Sequence, residues 1–160
     1  MHMKFLTNLS LMQTKNKFMN LALEEARKAF QIGEVPVGAV IVCNGNIVGQ
    51  AHNLKELIQD ATMHAEINAI RQASKALGTW RLENCDMYVT LEPCPMCAGA
   101  IIQARIKNLY IATEDPKGGA CGSVVNLFSN PWNHQVNVEF GIMKEESSKL
   151  LKDFFKLLRE

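Results

Sequence analysis

Apolar residues first fall into a helical period between Lys17 and Gly33, where Phe18, Leu21, Ala22, Ala29 and Phe30 recur at three- and four-residue steps. Gly33 supplies a stop. Residues 1–16 mix Asn, Thr, Ser and Lys with scattered apolar positions and show no strong period, which predicts a loosely held extension ahead of one domain at 17–160. Beyond Gly33 the period shortens. Val37–Cys43 and Ile47–Ala51 are β-branched runs separated by Asn44-Gly45-Asn46, and Asn-Gly between such runs predicts a tight antiparallel hairpin.

Asp60–Leu77 predicts a loop entering a second helix, with Ile67, Ile70, Ala73 and Leu77 on its apolar stripe and Gly78 beyond its end. Met87–Leu91 then predicts a buried strand, Pro95–Ala104 a helix with Pro in its first turn, and Leu109–Ala112 another strand. A Gly-rich loop at Lys117–Ser123, a last strand at Val136–Phe140 and a long helix at Glu145–Leu158 complete the chain. Alternating strands and helices predict an α/β fold: a partly parallel sheet covered by helices, with loops at strand ends free to build a site.

At 160 residues and 48% apolar composition, the chain suits one globular domain with a sizeable core. No apolar run approaches the roughly 18 to 20 residues needed to span a bilayer, and no charged stretch, apolar run and cleavage site mark the N-terminus, so a cytoplasmic protein with no membrane partner is expected. The formal charge of +1 means that any nucleic-acid contact must come from local clusters of Lys and Arg. Five cysteines, two of them in a C-x-x-C pair, point to metal or redox chemistry instead of a disulfide framework.

The informative residues are His64-Ala65-Glu66, opening one helix, and Pro93-Cys94-Pro95-Met96-Cys97, opening another. Cysteines at i and i+3 share one face of a helical turn, so both sulfurs can reach one ion at about 2.3 Å. His64 supplies a third ligand, and three protein ligands leave one tetrahedral position open, as in catalytic zinc sites. Cys121 offers a competing arrangement, a closed three-cysteine, one-histidine structural site, although its place between Ala120 and Gly122 suits a small loop residue. Two thiolates cancel the charge of the metal and blunt its effect on a bound water, so a nearby base is needed. Glu66 can fill that role if it sits in the first helical turn beside His64. Cys43 and Cys85 lie in or beside strands and read as small buried hydrophobes.

His-Ala-Glu, followed after a spacer by Thr90-Leu91-Glu92-Pro93-Cys94-Pro95-Met96-Cys97-Ala98-Gly99, resembles the cytidine deaminase superfamily, and within it the bacterial tRNA-specific adenosine deaminases. Glu34 to Ala39, His52-Asn53, Arg105-Ile106, Asp115 to Gly119 and Asn133-His134 resemble segments of the same family in order, over roughly Lys17 to Arg159. Ala61 and Met63 depart from the Pro and Ala often found there. The resemblance implies a three-layer α/β/α fold around a mixed five-stranded sheet and one Zn2+ per chain on His64, Cys94 and Cys97, with Glu66 catalytic. It also implies hydrolytic deamination of adenosine to inosine at the wobble position of a tRNA anticodon loop, by a homodimer. Asn53 is then expected to hydrogen-bond the purine, Asp115 a ribose hydroxyl and Lys117 a phosphate. His52 and His134 are weaker candidates, and the stripe Lys149, Lys152, Lys156 and Arg159 is read first as a solvated helix face.

The rival enzyme reading is deamination of a free base or nucleoside, guanine or cytosine, by the same chemistry; it leaves the Asp115 loop without a purpose. A zinc-stabilised RNA-binding module without turnover leaves Glu66 without one. The dimer is further suggested by the apolar face of the Pro95–Ala104 helix, where Ala98, Ile101 and Ile102 exceed what a small domain needs to bury.

Overall fold

A computed structural model describes residues 2–160; Met1 lies outside the described residues. Helix α1 runs His2–Gln31, and the hairpin follows as β1 (Gly38–Cys43) and β2 (Asn46–His52). Asn44 and Gly45 take positive φ of 50° and 79°, the left-handed pair that a two-residue turn between twisted strands requires. A short helix α2 (Lys55–Ile58) leads to α3 (Ala65–Leu77), then β3 (Cys85–Leu91), α4 (Pro95–Gln103), β4 (Asn108–Thr113), β5 (Asn137–Phe140) and α5 (Lys144–Leu158). Pro95 stands in the first turn of α4, and Gly78 closes α3 in the left-handed conformation.

The five strands lie in the order β2-β1-β3-β4-β5. β1 is antiparallel to both β2 and β3, whereas β3, β4 and β5 are parallel, so the sheet is mixed as the element pattern predicts. Alternation along β1 shows why two helical layers form. Ala39 and Ile41 join Met87, Val89, Leu109 and Ile111 against Ala65, Ala69, Ala98 and Ile101 of α3 and α4. Val40 and Val42 point the other way, to Phe18, Met19 and Ala22 of α1. On that second face α5 meets α1 edge-to-face through Phe154 and Phe30. Gly49 permits close approach of β2 to α3, since a side chain there would run into the Ala69 carbonyl.

Two details differ from the sequence reading. The helix expected from Lys17 begins at His2, because nothing before Gly33 breaks it: the stretch holds neither Gly nor Pro. Residues 3–14 are exposed, which explains why they show no burial period. Ala98, Ile101 and Ile102, whose apolar face suggested a partner chain, are all buried within this chain, Ala98 and Ile101 in the core cluster with the sheet and α3. That face therefore gives no argument for a dimer.

Candidate active site and metal centre

His64 is the N-cap of α3 and Cys94 the N-cap of α4, both in extended conformation, so two helix N-termini converge on one point. Cys97, in the first turn of α4, completes the group: one ligand atom from each of His64, Cys94 and Cys97 lies within 4.8 Å of the others. The Sγ atoms of Cys94 and Cys97 stand 3.7 and 3.6 Å from Nδ1 of His64. Ligands at about 2.3 Å (sulfur) and 2.1 Å (nitrogen) on a tetrahedral ion would stand about 3.6 Å apart, so the spacing fits a metal of that kind. Cys121 is not part of the group; its Sγ is directed to the Pro93 carbonyl, 3.9 Å away.

The thiols share charge unequally. A hydrogen bond from Cys97, helped by His64, holds Cys94 down to about 4, while that bond and burial push Cys97 up. The N-terminus of α4 favours thiolate as well. Glu66, in the first turn of α3, is buried, and burial pushes its carboxyl up to about 7 against the pull of its own backbone amide and of His64. It faces a cavity of about 150 Å³ lined by His64, Glu66, Cys94, Asn53, Lys55 and Asp115 together with Val35, Val37, Leu91 and Glu92.

Asn53, just past β2, is buried in this cavity; its Nδ2 donates to the Val35 carbonyl (3.4 Å) and its Oδ1 accepts from the Lys55 amide (3.1 Å). Asp115 follows β4, and its Oδ1 accepts from the amides of Lys117 and Gly118, a tight turn that points Lys117 outward. The structure thus brings Asn53 and Asp115 to the cavity with the ligand group and leaves Lys117 exposed, off the lining.

The family described as MafB19-like deaminase matches residues 13–159. The tRNA-specific adenosine deaminase of Bacillus subtilis is 49% identical over 144 residues, 89% of each chain. The chain belongs to the tRNA-specific adenosine deaminase family. A solved structure from work on A-to-I editing by tRNA deaminases at the wobble position of transfer RNA superposes with a TM-score of 0.82 at 49% identity, covering 84% of this chain and 99% of that one. The guanine deaminase of Nitrosomonas europaea shares the fold, with a TM-score of 0.76 at 20% identity over 87% of this chain and 83% of that one.

Within this deaminase fold the weaker histidine candidates are structural fasteners. His52 Nδ1 lies 2.6 Å from the buried Glu25 carboxylate, which also accepts from Lys28 and Gln50, and His134 Nε2 lies 2.7 Å from the Ile106 carbonyl. Lys149 pairs with Asp153 on the outside of α5. Two further buried carboxylates, Glu92 on the cavity lining and Glu34 next to the lining residue Val35, were not singled out from sequence. Glu34 accepts from the Leu57 amide at 2.6 Å, and its second oxygen has no partner among the described residues. Glu92 accepts from three amides of the loop after β4. The one signal in the sequence is an acid placed just ahead of an apolar or Pro-containing segment, Glu34 before Val35-Pro36 and Glu92 before Pro93-Cys94, which marks the position as unusual without revealing its partners.

Proposed function

We propose that the protein is a zinc-dependent hydrolase that converts adenosine to inosine at the wobble position of a tRNA anticodon loop. The observation that carries the reading is the buried Glu66 carboxyl beside the His64, Cys94 and Cys97 group in a cavity sized for a single base. The relatives named above give the substrate class. Soft thiolates with one imidazole suit zinc over magnesium or calcium, and bound zinc supplies the Lewis acidity that makes water a nucleophile near neutral pH.

The chain's own groups do the rest. Glu66 takes a proton from the attacking water and delivers it to N1 of the purine as oxygen adds at C6. The second proton leaves with the 6-amino group, so adenosine and water give inosine and ammonia. Asn53 holds the purine edge, Asp115 a ribose hydroxyl, and Lys117, outside the cavity, a phosphate of the loop. An unpaired anticodon base can enter a small pocket cheaply, since no base pair has to be broken.

Incubation with an anticodon stem-loop, free adenosine, guanine and cytidine, scored for ammonia and inosine, tests this. Turnover of the stem-loop far above the free compounds is expected; comparable kcat/KM on free adenosine or guanine would make it a small-molecule deaminase. We propose also a homodimer in the cytoplasm, supported by the family and by exposed Met96, Val124, Val125 and Trp132. Sedimentation equilibrium showing only the 17.9 kDa chain in an active sample would defeat the dimer.

A further inference from the structure

We propose that Glu92 is a positioning residue: it fixes the loop after β4 as one wall of the cavity and thereby sets how the substrate backbone is held. The proposal rests on the RNA reading above. Glu92 is the residue after β3 and two before Cys94, and it is only 2% exposed. No lysine, arginine or histidine pairs with it among the described residues. Its charge is met instead by the loop. Oε1 accepts from the amide of Asp115 (3.1 Å), and Oε2 from the amides of Cys121 (3.0 Å) and Ser123 (3.1 Å), while the Ser123 hydroxyl donates to Oε1.

These donors come from both ends of the loop, so one carboxylate closes Asp115–Ser123 on itself around the exposed Lys117. Gly119 packs directly on the carboxyl, where any side chain would collide with it. A further bond, from the Ala120 amide to the Pro93 carbonyl at 2.8 Å, ties the loop to the residue beside Cys94. Buried charged hydrogen bonds of this kind are stronger than neutral ones and leave a costly orphan when broken. The wall bearing Asp115 and Lys117 is therefore registered directly against the segment that carries the metal ligands.

Glu92→Gln keeps the shape but presents an amide to the three N–H donors. In the zinc-loaded enzyme it should speed hydrogen exchange at the amides of Asp115, Cys121 and Ser123 and keep the zinc. KM for the anticodon stem-loop should rise about tenfold or more, with a much smaller change in kcat. A positioning role also demands coupling, so Lys117→Ala should weaken binding less in the Glu92→Gln background than in the parent chain. Ser123→Ala, which removes one side-chain bond and no backbone donor, should move exchange and KM the same way to a smaller degree if the first variant folds poorly. Unchanged exchange in both variants, additive effects with Lys117→Ala, or zinc loss with a fall in kcat at constant KM would overturn the proposal. Altered exchange in a chain whose parent does not turn over the stem-loop would count against the RNA reading and not against the tether.

Discussion

Cys94 Sγ stands 3.7 Å from His64 Nδ1, although the two residues cap helices on different segments and lie thirty positions apart. That convergence predicts one zinc per purified chain. Metal analysis should show its loss in Cys97→Ser and its retention in Cys121→Ser, whose thiol faces the Pro93 carbonyl.

Glu66 lines the cavity without belonging to the ligand group, so Glu66→Gln should retain zinc while losing turnover by about 10²- to 10⁴-fold, the range of a lost general acid-base group. Single-turnover assays on the stem-loop, beside metal content, check both halves.

Lys117 and Asn53 should fail differently. Lys117→Ala removes an exposed cation and should flatten the dependence of log affinity on log salt by about one unit. Asn53→Ala removes a hydrogen bond inside the cavity at roughly 1 to 3 kcal/mol, with the salt slope preserved. Stem-loop titrations at several salt concentrations separate the two.

The triad of Glu25 with His52 and Lys28 gives a pH signature. Burial raises the Glu25 carboxyl, but hydrogen bonds from Lys28, His52 and Gln50 together hold it below its ordinary value. Because the folded value lies below the unfolded one, this stabilisation is present above the ordinary carboxylate range and is lost as pH falls through the folded value. Denaturant midpoints measured down that acid limb should fall less steeply in Glu25→Gln than in the parent chain, with lower stability at neutral pH.

At Gly49 the expected outcome is purely structural. Gly49→Ala pushes β2 off the Ala69 carbonyl, and such overpacking costs about 1–3 kcal/mol, or roughly 2–4 °C in Tm per kcal/mol for a chain of this length. Calorimetry would register it.

What could be read from the sequence was what depends on short-range spacing. The Asn44-Gly45 turn, the i,i+3 cysteines and the Pro95 start of α4 each involve neighbours in the chain. Glu92 could not be read this way, because its donors lie 23 to 31 residues on and meet it only when β4 docks beside β3. The first half of α1 escaped detection for the opposite reason: it is helical without burying a face, so its apolar residues carry no period. Ala98 and Ile101 were misread as surplus because α4 packs on both the sheet and α3, and Ile102 is buried in this chain as well.

The Asn44-Gly45 turn and the cross-strand neighbours Cys43 and Cys85 lie at the end of the sheet remote from Asn53, Leu91 and Asp115. The site-bearing strand ends are therefore answerable for the reaction, while the exposed Asn44-Gly45 turn lies at the opposite end of the sheet. Fluorescent labels, affinity tags or inserted loops placed at Asn44-Gly45 should ride on a working enzyme, which makes that turn the natural handle for immobilising or tracking the protein.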